Sequence, residues 1–314
     1  MGIIESIVGK AGRVPKGYSK IGDDVAVVPL GKGKLVLKVD MLVEHTDVPA
    51  GMTYRQAARK AVAMCVSDFA AKGVKPDSFM ASIALKRGVS REKVDELALG
   101  FRDAEREWGA HLVGGDTNEG DELVIDCVMV GFAKRLVTRR GAAVGDCLVV
   151  SGRFGYQPAG LKILESRARA GDRFAERAKR SVLQPSPNLE LGLALAPYLT
   201  SSMDSSDGLA RSIHTLARES KVGFEVTALP TGRGVKRFAD RNGLDAEKLV
   251  LEGGEEYLIV GTVRGSRMKQ AKEAAERAGG ELIEIGRTTS RERVELRTGG
   301  RARPIRDEGW THLR

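Results

Sequence analysis

Residues 53 to 73 read TYRQAARKAVAMCVSDFAAKG, and the rest of the chain organises around this segment. Thr53 suits an N-cap, and the run from about Tyr54 to Lys72 is rich in Ala and free of Pro and Gly. Gly73 stands in the C′ position, where positive φ is easily adopted. The segment therefore predicts one long helix. Upstream, VAVVPL (25 to 30) and KLVLKVDML (34 to 42) read as strands joined through a Gly-Lys-Gly turn into a hairpin. Downstream come the strand-length runs SFMASIAL (78 to 85), HLVGG (111 to 115) and LVIDCVMVGFA (123 to 133), with a second helix from about Arg91 to Trp108. The charged, Gly-containing segment AKRLVTRRGAAVGD (133 to 146) then separates this series from another that starts at CLVVSG (147 to 152). The second series predicts helices near 157–170, 174–183, 188–198, 209–220 and 266–278. Its strands fall at 223–229, 256–263 and in LIEIGRT and RVELRT. The fold class is α/β (α+β), with two mixed α/β domains over 1–137 and 147–314.

The length of 314 residues suits two domains, and 42% hydrophobic with 30% charged residues excludes a disordered chain. No apolar run approaches the roughly 18 residues of a membrane span. Lys plus Arg exceed Asp plus Glu by 51 to 42, a net charge of +9 that suits an anionic partner. Cys65, Cys127 and Cys147 are an odd set without CxxC spacing. They read as reduced, buried thiols of a cytoplasmic protein rather than a disulfide frame or zinc site. The first residues, MGIIESIVGK, lack the apolar core of a secretion leader. The Arg-rich stretch 166 to 180 carries mixed charge at helical spacing and reads as a solvated face.

Neither GxxxxGK[ST] nor GxGxxG stands in a phosphate-binding context here. What recurs is Asp beside Gly or at the end of an apolar run: Gly22-Asp23-Asp24, Val39-Asp40, Ser67-Asp68, Gly114-Gly115-Asp116-Thr117 and Asp204-Ser205-Ser206-Asp207-Gly208. Each alone also reads as a turn or a helix cap. Asp68 resists that reading, because a carboxylate near a helix C-terminus in an apolar run needs a cation or donors. Asp40 shares a strand face with Lys38, opposite Leu35, Leu37 and Val39, and points to a surface or a site. Converging aspartates are hard oxygen donors that suit Mg²⁺ with a nucleotide, and Gly114-Gly115 permits a close backbone approach to phosphate. Together these segments predict a site in the cleft between the two domains.

In order and spacing, these segments resemble thiamine-monophosphate kinases, of the superfamily that includes aminoimidazole ribonucleotide synthetase and selenophosphate synthetase. The likeness also draws on Thr138-Arg139, Gly145-Asp146 and Gly253-Gly254-Glu255-Glu256-Tyr257, and the wording of 67 to 76 is similar to the archaeal branch. The resemblance implies direct in-line transfer of the γ-phosphoryl group of ATP to thiamine phosphate, giving thiamine diphosphate and ADP. By position it implies Mg²⁺ ligands at Asp24, Asp40, Asp68, Asp116, Asp204 and Asp207, and ATP contacts at Gly115, Arg139 and Ser206. It further implies substrate contacts at Glu255 and Trp310, and a homodimer built on the N-terminal sheets. An acceptor phosphate that is already ionised needs positioning and charge neutralisation more than a general base.

Two positions depart from the family pattern. Lys38 and Val39 stand where Ser-Thr is common before Asp40, which removes a ligand and offers Lys38 as a phosphate contact in place of metal charge. Asp47 stands where bacterial relatives often carry a substrate-binding His, and a carboxylate there suits either the positive charge of thiamine or a further Mg²⁺. Two other readings remain open on the residues alone. One is an aminoimidazole ribonucleotide synthetase-like ATP-dependent ligase. The other is a basic nucleic-acid-binding protein, which the 5% aromatic content and the lack of a base-reading motif disfavour.

Overall fold

The computed structural model describes residues 14–19 and 21–311; the N-terminal ten residues read above and His312 lie outside them. In the first half, β1 (Ala26–Leu30), β2 (Gly33–Val43), β3 (Pro76–Lys86), β4 (His111–Gly120) and β5 (Val124–Ala133) form a sheet in the order β1-β2-β5-β3-β4. β1 and β2 make the expected hairpin, with Leu30 opposite Gly33. Only β3 and β4 run parallel, and α2 (Arg91–Trp108) supplies the crossover that a parallel pair requires.

The long helix α1 (Tyr54–Lys72) forms as its ends predict. The Thr53 side chain accepts from the Gln56 amide while the Gln56 side chain accepts from the Thr53 amide, and Gly73 closes the helix at φ 65°. α1 and α2 cover one face of the sheet, burying Leu42, Phe79, Ile125 and Met129 with Val62 and Phe69. On β2 the helix-covered face is the even-numbered one, where Val36 and Leu42 are buried, while Val39 and Met41 are 57% and 54% exposed. Lys38 and Asp40 therefore share the covered face, and the apolar face opposite them lies open.

The second half forms a sheet in the order β12-β11-β8-β10-β6-β9-β7. Its strands are β6 (Cys147–Val150), β7 (Leu199–Asp204), β8 (Gly223–Val226), β9 (Ile259–Val263), β10 (Ile283–Thr289), β11 (Val294–Thr298) and β12 (Arg301–Pro304). Its helices include α3 (Tyr156–Ser166), α4 (Asp172–Leu183), α5 (Leu189–Leu195) and α6 (Leu209–Ser220). The α3 helix stops at Ser166, short of the expected 170, because Arg167 turns left-handed at φ 52°. The strand expected from residue 256 starts only at Ile259, since Glu255 and Tyr257 adopt φ of 57° and 50°. Conversely, β4 runs on to Gly120, so Gly114-Gly115-Asp116-Thr117 lies within a strand rather than a loop.

The two halves meet where the C-terminal end of α1 packs on α5. A Cβ on Gly192 would lie 2.2 Å from the Ala70 carbonyl oxygen, and one on Gly73 would lie 2.1 Å from the Ala196 Cβ. Ala71 and Val137 join Leu191, Leu195, Ile259 and Val263 in one apolar cluster there. All three cysteines are buried free thiols, as expected. Among the described residues, no helix is long and apolar enough to cross a membrane.

Candidate active site

Four segments bring carboxylates to the junction of the halves: the loop before β1, strand β2, the last turns of α1, and the end of β7. Asp24, Asp68 and Asp204 are buried there, each with a carboxylate oxygen within 4.8 Å of the others. The cation that Asp68 demanded is Lys38, whose Nζ lies 2.8 Å from Asp68 and 3.6 Å from Asp40. The Ser67 hydroxyl donates to Asp204 at 2.7 Å, one helix position before Asp68. Lys72, fully buried, pairs with Asp23 at 2.6 Å and Asp24 at 2.5 Å and donates to the Ser202 carbonyl at 2.7 Å, tying α1 to β7. Arg139 clasps Asp24 through two guanidinium nitrogens and donates to the Gly22 carbonyl.

The electrostatics of this cluster follow from burial and from a shortage of positive charge. Burial alone pushes Asp24 up, but Lys72 and Arg139 outweigh it and hold its carboxyl below the ordinary range. Asp68 has only Lys38 against burial and the neighbouring Asp204, and is pushed well up. Burial and the Asp24 charge push Asp204 up to about 6. For Lys38, burial works against the charge, yet Asp68 and Asp40 keep it protonated above the ordinary lysine range. A hard divalent cation relieves this imbalance, and an all-carboxylate oxygen set is the donor chemistry that Mg²⁺ prefers. The residues present therefore fit such an ion.

Beside the cluster opens a cavity of about 300 Å³. Lys38, Asp40, Asp68, Asp204, Ser206, Asp207, Asp47, Gln157, Glu255, Tyr257 and Trp310 line it, with Met41, Met64 and Leu161 as apolar wall. Glu255 is held from three sides: Lys60 Nζ at 2.6 Å, Gln157 Nε2 at 2.7 Å and the Tyr257 hydroxyl at 3.1 Å. Its amide donates to the Ser206 carbonyl at 2.6 Å, and the Tyr257 amide donates to Ser205 at 3.0 Å. These contacts offset the roughly 1 to 2 kcal/mol that each left-handed non-glycine residue costs. Asp47 sits in a helical turn (Glu44–Asp47) after β2, where its carboxylate accepts from the Val43 amide at 2.8 Å and the Thr46 hydroxyl at 2.9 Å. Lys60, with no exposed surface, also donates to the Asp47 carbonyl at 2.7 Å, so one ammonium ties both acidic walls of the cavity. Trp310 is half-exposed at the rim, its amide donating to the Asp207 carbonyl at 3.0 Å.

Most residues expected in the site thus converge, but Gly115 and Asp116 do not line this cavity. They lie on the exposed edge strand β4, where the Asp116 carboxylate accepts from the amide of Thr117. Gly115 is explained by packing: a Cβ there would stand 2.0 Å from the Ala81 carbonyl oxygen of β3. Arg139 likewise spends its guanidinium on Asp24 and Gly22 rather than lining the cavity. Sequence reading assigned no role to Lys60, Lys72, Gln157 or Tyr257. The signal available for the lysines was their place in an Ala-rich helix whose apolar residues already call for burial.

Residues 22–133 match the model of the AIR synthase related protein, N-terminal domain, and residues 143–299 that of its C-terminal domain. The thiamine-monophosphate kinase of Nitrosopumilus maritimus is 39% identical over 296 residues, covering 94% of each chain. That of Pyrococcus abyssi is 32% identical, over 93% of this chain and 90% of its own. Among solved structures, AaThiL complexed with AMPPCP and TMP superposes with a TM-score of 0.85 at 28% identity, covering 99% of this chain and 94% of that one. With both domain models matched and such identity over nearly its whole length, the chain belongs to the thiamine-monophosphate kinases of the AIR synthase related family.

Proposed function

We propose that the protein phosphorylates thiamine phosphate to thiamine diphosphate by direct transfer of the γ-phosphoryl group of ATP. The observation that carries this reading is the junction of a buried carboxylate cluster with a cavity walled by Glu255, Asp47 and Trp310. One part suits a metal-bound polyphosphate and the other a cationic aromatic ring. The names of the relatives and the AMPPCP and TMP bound in the solved structure support the same reading.

In this reading Asp24, Asp68 and Asp204 hold Mg²⁺, with Asp40 and Asp207 at the cavity wall beside them. Mg²⁺ supplies charge neutralisation to the phosphates being joined. Lys38 faces the same space and presents an ammonium to it. Ser206 lines the same cavity, and we assign it to ATP together with Arg139, which reaches the site through the Asp24 carboxylate that it clasps. Glu255, fixed by Lys60, Gln157 and Tyr257, and Asp47 give the thiazolium a negative wall. Trp310 offers an aromatic face to the same cation. No general base is required, because the acceptor oxygen is ionised near neutral pH.

We place the domains at 1–137 and 147–314, on either side of the segment that joins the two sheets. We also place the protein in the cytoplasm, as a homodimer through the open sheet face. The free thiols suit a reducing compartment, and the exposed Val39, Met41, Met80 and Phe132 of the open face suit a covered one. The test of function is to mix the purified chain with Mg²⁺, ATP and thiamine phosphate. Thiamine diphosphate and ADP are expected in equal amounts, and ADP without thiamine diphosphate refutes the reading.

A further inference from the structure

Among the described residues, Lys38 is the one ammonium of the carboxylate cluster that also lines the cavity. It stands on β2 two residues before Asp40, so both side chains leave the same face of the strand. Its Nζ lies 2.8 Å from the Asp68 carboxylate and 3.6 Å from that of Asp40, with only 19% of its side chain exposed. The charges around it can be counted from the ion pairs: Asp23, Asp24, Asp40, Asp68 and Asp204 face Lys38, Lys72 and Arg139. Among the described residues, the carboxylates gathered here outnumber the cations that hold them, which leaves room for a divalent cation. The remaining carboxylates of the cluster, Asp24 and Asp204 with the far side of Asp68, are where such a cation fits.

We propose that the Lys38 ammonium permanently fills the place between Asp40 and Asp68 that a divalent cation would otherwise take, so that Asp40 is an ion-pair partner and not a metal ligand. The proposal rests on the reading of this cavity as a divalent-cation site. A tethered ammonium differs from a bound ion in two respects: it carries one charge instead of two, and it cannot dissociate. A divalent cation at the same place would need carboxylate oxygens at roughly 2.0 to 2.6 Å, a volume that the Nζ already occupies. Ammonium and metal therefore exclude each other there. Removing the lysine leaves the Asp40 and Asp68 carboxylates without their shared ammonium and makes the cluster more negative by one charge.

The test is a titration of the full chain with Mn²⁺ alone, without nucleotide, following free Mn²⁺ by electron paramagnetic resonance. Lys38→Ser is expected to bind one further Mn²⁺ per chain, or to bind Mn²⁺ about tenfold more tightly than the parent chain. Asp40→Asn is expected to leave Mn²⁺ binding unchanged when Lys38 is present, and to abolish the gain in the Lys38→Ser background. Unchanged binding in folded Lys38→Ser overturns the proposal, and so does weakened binding in Asp40→Asn alone. The Asp40→Asn arm decides the matter if Lys38→Ser does not fold. A chain that shows this Mn²⁺ pattern but makes no thiamine diphosphate upholds the role of Lys38 while refuting the proposed reaction.

Discussion

Asp68 was legible as a residue that needs a cation or hydrogen-bond donors, because it is a carboxylate at the end of an apolar helical run. Which cation it finds was not legible. Lys38 comes from a strand thirty residues earlier, and only the packing of α1 on β2 brings the two within 2.8 Å. Lys60 and Lys72 were hidden for the same reason, as their partners Glu255 and Asp23 come from distant segments. Glu256 is a further case. It accepts the Gly155 amide at the start of α3, yet burial pushes its carboxyl from 4.5 up to about 8. A carboxyl whose folded pKa is raised contributes its stability in full below the unfolded value. That contribution is lost as pH rises through the folded one. Glu256→Gln should therefore match the parent chain near pH 4 and become progressively more stable than it between about pH 5 and 8. Urea unfolding at pH 4, 6 and 8 measures this, and a constant difference across that range would contradict the assignment.

At the scale of elements, α1 was readable in full because its two ends carry their own chemistry, a Thr-Gln capping box and a left-handed glycine. The hairpin of β1 and β2 was readable from a turn flanked by β-branched runs. The segment 253–258 was not, because Glu255 and Tyr257 take φ values that their side chains disfavour and that contacts from Lys60, Ser205 and Ser206 enforce. Local propensity carries no trace of such contacts. The N-terminal sheet is the other instance: alternation on β2 was visible, but not that the helices cover the Lys38 and Asp40 face. The exposed apolar face that results supports the proposed dimer. Light scattering should give twice the chain mass for the parent protein. Introducing Met80→Glu with Phe132→Glu on that face should give the single-chain mass with retained helicity. A parent chain of single mass would contradict the dimer.

For the whole molecule, the net charge is +9, whereas the cleft gathers buried carboxylates, a donor set that suits a cation. The two-sheet organisation and the convergence of Asp24, Asp40, Asp68, Asp204 and Asp207 were both legible, because the acidic segments fall at strand and helix ends facing one junction. The position of Gly115 and Asp116 was not, since a glycine pair beside Asp suits an anion loop and a tightly paired edge strand equally well. Under the proposed reaction the cleft joins two phosphates directly, which separates it from a ligase that activates an oxygen and then releases phosphate. ATP labelled with ¹⁸O in the non-bridging γ oxygens, incubated with Mg²⁺, thiamine phosphate and the chain, tests this most directly. The label should appear in the terminal phosphate of thiamine diphosphate. Label recovered as free inorganic phosphate, with no labelled thiamine diphosphate, would contradict it.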